Sequence, residues 1–169
     1  HVEALRARLE SNGLRVKKKK MYRHGVFHET VTAISRGAAN ERDYFLWRIE
    51  RLAKIFDSVK YFFAEVKDDL DRCDVLVFDR YVETHFAAAV GRAHWDPYGE
   101  ELLGVYPRAD VLFLLDAPPS RAAERIAKRG ERTVDEHPYM LERYRHAFLG
   151  MAERERFRVV DATRPFDEN

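Results

Sequence analysis

Two apolar runs, VLVF at Val75–Phe78 and VLFLL at Val111–Leu115, constrain the possible folds more than any other feature. Neither alternates apolar with polar residues, so both read as strands buried on two faces, the pattern of a parallel sheet with helices above and below. A third short strand is expected at Phe157–Asp161. Between the strands the apolar spacing changes to three and four: Phe45, Ile49, Leu52, Phe56, Val59, Phe63, Val66 and Leu70 predict one long helix, or two joined by a slight bend, over 41–72. Further helices are expected at about 81–92, 119–129 and 139–153, with Gly130 breaking the second. The expectation is an α/β chain, a three-layer parallel sheet covered by helices on both faces, and 169 residues suit a single domain.

In such sheets ligands bind beyond the carboxyl ends of the strands. All three strands end there in aspartate, at Asp79, Asp116 and Asp161, and Asp79 is followed directly by Arg80. Taken alone, an aspartate after a strand reads as the cap of the next helix. The arginines add context. Arg48 and Arg51 fall early in the long helix, and Arg121, Arg125 and Arg129 share one face of a later one, either as a solvated face with Glu124 placed to pair with Lys128 or as an anion site. Lys128, Arg129 and Arg132 cluster where that helix ends, beside Gly130.

The remaining segments say less. Val2, Leu5 and Leu9 share a helical face that Gly13 stops, and a chain opening directly on this helix is expected to continue upstream in the natural protein. Lys17 to Lys20 read as a solvated edge strand. A loop with one short helix is expected over 22–40, where His24 and His28 are four apart with no evident third metal ligand. Thirty cations against 29 anions give a net charge of +1, so no general attraction to nucleic acid or membrane is expected. Arginine supplies 22 of the cations, which suits phosphate recognition but also fits a biased genome. One cysteine, Cys73, excludes an internal disulfide and fits a reducing, cytoplasmic setting.

VLVFDRYVETHFAAAVG resembles the strand-DRY-helix segment of the thymidylate kinase family, DVLFLLDAPPSRAAERIAKRGERT its LLD strand, helix and arginine-rich lid, and RVVDATRPFDE its adenine-contacting turn. The resemblance implies a P-loop nucleotide kinase fold, with ATP and Mg²⁺, transferring the γ-phosphoryl group to a nucleoside monophosphate such as dTMP, in a homodimer. It assigns Arg80 and Arg48, with Arg51 as alternate, to the acceptor phosphate, and Phe45 and Tyr81 to its base. Asp79 would hold Mg²⁺ through water or orient Arg80. Arg125, Arg129 and Arg132 would belong to a lid at about 129–138, with Thr163 and Pro165 beside the adenine, and Arg23 would reach the acceptor phosphate.

Two departures stand out. The family's first strand and its G-x-x-x-x-G-K-[ST] loop have no counterpart here, although that strand is the middle one of the sheet. Its absence would leave buried backbone groups unpaired at roughly 1–3 kcal/mol each, and a chain without it is not expected to transfer phosphate. At Ala88-Ala89-Val90-Gly91 the family usually carries an aromatic-Gln-Gly segment that helps read thymine. A kinase of the same fold acting on a nucleoside or another small hydroxyl, and a non-catalytic nucleotide-binding relative, are the alternatives.

Overall fold

Gly13 ends the first helix, α1 (Val2–Ser11), with a left-handed backbone at φ 83°. The Gly13 N–H donates to the Glu10 carbonyl and the Leu14 N–H to the Leu9 carbonyl, the paired bonds of a Schellman turn. The elements after it are β1 (Val16–Lys20), α2 (Val26–Gly37), α3 (Tyr44–Tyr61), a π-helical segment (Phe62–Val66), α4 (Lys67–Leu70), β2 (Val75–Asp79), α5 (Glu83–Gly91), α6 (Pro97–Leu103), β3 (Phe113–Asp116), α7 (Pro119–Arg129), α8 (Pro138–Glu155) and β4 (Arg158–Asp161). The computed structural model describes residues 2–21, 25–37, 44–93, 97–130, 136–155 and 157–164. It divides into two units, His1–Val82 with Asp96–Pro107 and Glu83–Trp95 with Arg108–Asn169.

In the first unit β1 pairs in parallel with β2, Val16 opposite Val75 and Lys20 opposite Asp79. Its lysines are only partly the solvated edge expected: Lys17 and Lys20 are exposed, Lys18 and Lys19 half-buried. Side chains alternate across a strand, so Lys17 and Lys19 share one face, where both meet Asp69, while Lys18 points to the other and meets Glu3 of α1. Lys19 also donates to the Glu65 carbonyl at 2.7 Å. Hydrogen bonds from Lys17 and Lys19 hold the Asp69 carboxyl at about 2, well below its ordinary range. At the start of the strand pair, Arg15 bonds Asp74 through its backbone N–H (2.8 Å), Nε (3.1 Å) and Nη2 (2.8 Å).

The pattern expected over 41–72 forms α3, the π-helical segment and α4 in succession, so the bend is a local change of helical pitch rather than a break. The loop expected over 22–40 contains a longer helix than foreseen, α2, which packs on α3 and takes its amino-terminal bonds from it. Asp57 of α3 accepts the N–H groups of His28 at 2.9 Å and Phe27 at 3.4 Å. Ile55, Phe62, Val66, Leu103 and Tyr106 are among the buried residues of this unit.

In the second unit α5 packs on α8, with Ala87, Ala147 and Met151 buried and Phe86, Phe148 and Phe157 against them. β3 pairs in parallel with β4, Phe113 opposite Arg158 and Asp116 opposite Asp161.

The chain is thus mixed α/β with parallel strands, as the apolar runs require. Among the described residues the expected enclosure of those strands is not found. Among the described residues the strands form two two-stranded sheets, β2 is half-buried along its length, and Phe113 and Leu115 are 52% and 45% exposed. A strand paired on a single edge keeps part of its apolar surface open, whatever its sequence asks for.

Candidate functional site

β2 brings Asp79 to its carboxyl end, and the chain turns at once. Arg80 has φ 71°, a left-handed conformation that costs a residue with a Cβ about 1–2 kcal/mol. This turn is why α5 starts at Glu83 rather than at Tyr81 as expected. Tyr81 fixes the chain on the far side of Arg80: its ring lies 4.8 Å from that of Phe78, and its hydroxyl donates to the Pro107 carbonyl at 2.6 Å. Arg80 is exposed and Asp79 half-buried. Among the described residues nothing donates a hydrogen bond to the Asp79 carboxylate, so the helix-cap reading does not hold.

The same unit carries Arg48 and Arg51 about one turn apart on α3. Arg48 is exposed and Arg51 buried, which leaves Arg48 the more accessible to an anion. Phe45 lies in α3, with its side chain outside the described residues. Arg23 and His24 also fall outside them, while the His28 ring shares a 3.3 Å hydrogen bond with Thr32.

The second unit gathers the residues expected near ATP. Asp161 accepts from the Thr163 N–H (2.9 Å) and hydroxyl (2.6 Å) and from Arg164 Nε (3.2 Å), which closes the Asp-Ala-Thr-Arg turn and lowers the Asp161 carboxyl below its ordinary range. Arg125 Nη2 donates to the Ala162 carbonyl inside that turn at 2.7 Å, bringing Arg125 and Thr163 together. Arg129 pairs with Glu136. Arg121 takes Glu124, the partner expected for Lys128, because i,i+3 is also within reach on a helix. Arg132 and Pro165 lie outside the described residues.

Asp116, second of the strand-end aspartates, is already engaged. Arg145 of α8 grips it with two bonds, Nε at 2.7 Å and Nη2 at 2.8 Å, and these hold its carboxyl below the usual range. Sequence reasoning missed Arg145, one of many arginines and 29 residues away along the chain.

Among the described residues no group of three or more His, Cys, Asp or Glu could hold a metal ion. Among the described residues the Asp79 carboxylate accepts no hydrogen bond, which suits a contact through water to an ion such as Mg²⁺ that keeps most of its waters.

A family model described as thymidylate kinase matches residues 1–169. The chain belongs to the thymidylate kinase family. It is 35% identical over 138 residues to a thymidylate kinase of Clavibacter michiganensis, covering 76% of this chain and 65% of the relative. It is 29% identical to a probable thymidylate kinase of Methanosarcina mazei, over 82% of this chain and 70% of that protein. A probable thymidylate kinase of Pyrobaculum aerophilum is 24% identical over 71% of this chain, which spans 62% of the relative's length. The family implies a P-loop NTPase α/β fold, with which the parallel strands agree. No helix among the described residues is long and apolar enough to cross a membrane.

Proposed function

We propose that the protein transfers the γ-phosphoryl group of ATP to dTMP. The observation that carries this reading is the thymidylate kinase match across residues 1–169. In the transfer the bond from the γ-phosphorus to its bridging oxygen breaks as one forms to a phosphate oxygen of the acceptor. The protein supplies alignment and charge cancellation rather than covalent chemistry.

Arg80 and Arg48 take the acceptor phosphate, Arg51 being the alternate, and Phe45 and Tyr81 lie against the acceptor base. Arg125, Arg129 and Arg132 neutralise the ATP phosphates from a lid at about 129–138 of a single nucleotide kinase-like domain, and Thr163 and Pro165 flank the adenine. Asp79 would hold Mg²⁺ through a water, and the ion when bound offsets negative charge on the phosphates. The proposed compartment is the cytoplasm.

The test is an ATP-dependent assay of the full-length protein on dTMP, other nucleoside monophosphates and free nucleosides. dTMP is expected to have the highest kcat/KM. A strong preference for an acceptor without phosphate would overturn the reading. The panel matters because Ala87 and Ala89 are buried and Ala88 to Gly91 offer no side-chain amide to a base, so any thymine preference must arise elsewhere.

A homodimer is proposed as well, through the exposed apolar side chains Val26, Phe27 and Ile34 of α2 and Phe56 of α3, where Phe27 and Phe56 lie 6.3 Å apart. Phe56→Glu is expected to convert a dimer to a monomer in analytical ultracentrifugation, and an unchanged dimer would exclude this surface.

A further inference from the structure

Tyr106 sits just beyond α6, its N–H bonded to the Leu103 carbonyl at 3.1 Å, and is only 7% exposed. Its hydroxyl donates to the Ser58 carbonyl of α3 at 2.7 Å. One part of its ring lies 4.6 Å, centroid to centroid, from Phe62, and the ring meets Tyr81 edge-on at 5.6 Å and 89°. Burial pushes the Tyr106 hydroxyl above its ordinary range, so it remains a protonated donor.

These contacts join two pieces of backbone. One is α3, which carries Arg48 and Arg51. The other is the Phe78–Tyr81 turn, in which Arg80 holds a left-handed conformation that its own chemistry disfavours. Such a conformation persists only when its surroundings fix it from both sides. Phe78 is fixed by its place in the β2 pairing with Lys19, and Tyr81 by Pro107, Phe78 and Tyr106. Tyr106 also reaches α3, through the Ser58 carbonyl.

The geometry points to Tyr106 as a positioning residue for the acceptor phosphate: by tying α3 to the Tyr81 ring, it sets the spacing between Arg48 and Arg80. This rests on the reading that both arginines bind a nucleoside monophosphate. Tyr106 is buried, so its influence is expected to reach the acceptor through α3 and the Tyr81 turn and to leave ATP binding as it is.

The test uses the full-length protein. Tyr106→Phe keeps the ring and removes the bond to Ser58; it is expected to raise the KM for dTMP about fivefold, the size of one net hydrogen bond, with the KM for ATP unchanged. Tyr106→Leu, which also removes the aromatic contacts, raises the dTMP KM further, so Phe acts as partial rescue. A parallel rise in both KM values, or a lowered melting temperature beside an unaltered dTMP KM, would show a merely structural role and overturn the proposal. A wild-type protein inactive on nucleoside monophosphates removes the functional reading and this role together, whereas an active wild type with an unaffected Tyr106→Phe variant removes this role alone.

Discussion

Arg80→Ala in the full-length protein is expected to slow phosphoryl transfer to dTMP by about a thousandfold, because Arg80 would hold the acceptor phosphate whose oxygen attacks, and losing an arginine at a phosphoryl-transfer centre costs on that scale. Its melting temperature is expected to change by no more than about 2 °C, because Arg80 is exposed and its removal opens no cavity. The backbone supplies a control. At φ 71° glycine relieves the strain that alanine retains, at some cost in unfolded-chain entropy, so Arg80→Gly should be as inactive as Arg80→Ala and at least as stable. Transfer rates and thermal melts of the two variants measure this, and an active Arg80→Ala enzyme would sink the assignment.

The strand-end aspartates are expected to separate by phenotype. Asp79→Ala should lower the transfer rate about a hundredfold with little change in stability, since its carboxylate takes no hydrogen bond among the described residues. Asp116→Ala should do the reverse. It strands Arg145 from its two bonds, and the half-exposed pair is worth about 1 kcal/mol, or roughly 2–4 °C in melting temperature for a chain of this size. Kinetics and calorimetry on both variants decide the matter: a destabilised but active Asp79→Ala enzyme would place that residue with Asp116 as scaffold.

The parts of the molecule legible in the sequence are those fixed by near neighbours. Gly13 stops α1, Val75–Phe78 forms a parallel strand, and the helix after Pro118 ends at Gly130, each by local backbone chemistry or short-range apolar pattern. What escaped depends on distant partners. Lys17 meets Asp69 across 52 residues and Arg145 meets Asp116 across 29, and nothing at either lysine or arginine announces the other end. The π-helical segment carries neither glycine nor proline, so its sequence, FFAEV, looks like ordinary helix. Arg80, Tyr81 and Arg125 were nameable as candidates from motif resemblance, but the left-handed turn at Arg80 and the role of Tyr106 needed coordinates. Segment 93–110, which has no strong periodicity, gave no warning of α6 or of the tyrosine behind it.

β1 has a consequence for how the protein responds to its medium. Apart from Val16 the strand offers its neighbours aliphatic stems and ammonium groups, so its docking relies on ion pairs to Glu3 and Asp69 more than on expelled water. Charge contacts near a surface weaken as mobile ions accumulate, whereas apolar contacts do not. Rising ionic strength is therefore expected to loosen β1, with amide exchange there quickening more than in the interior around Ile55.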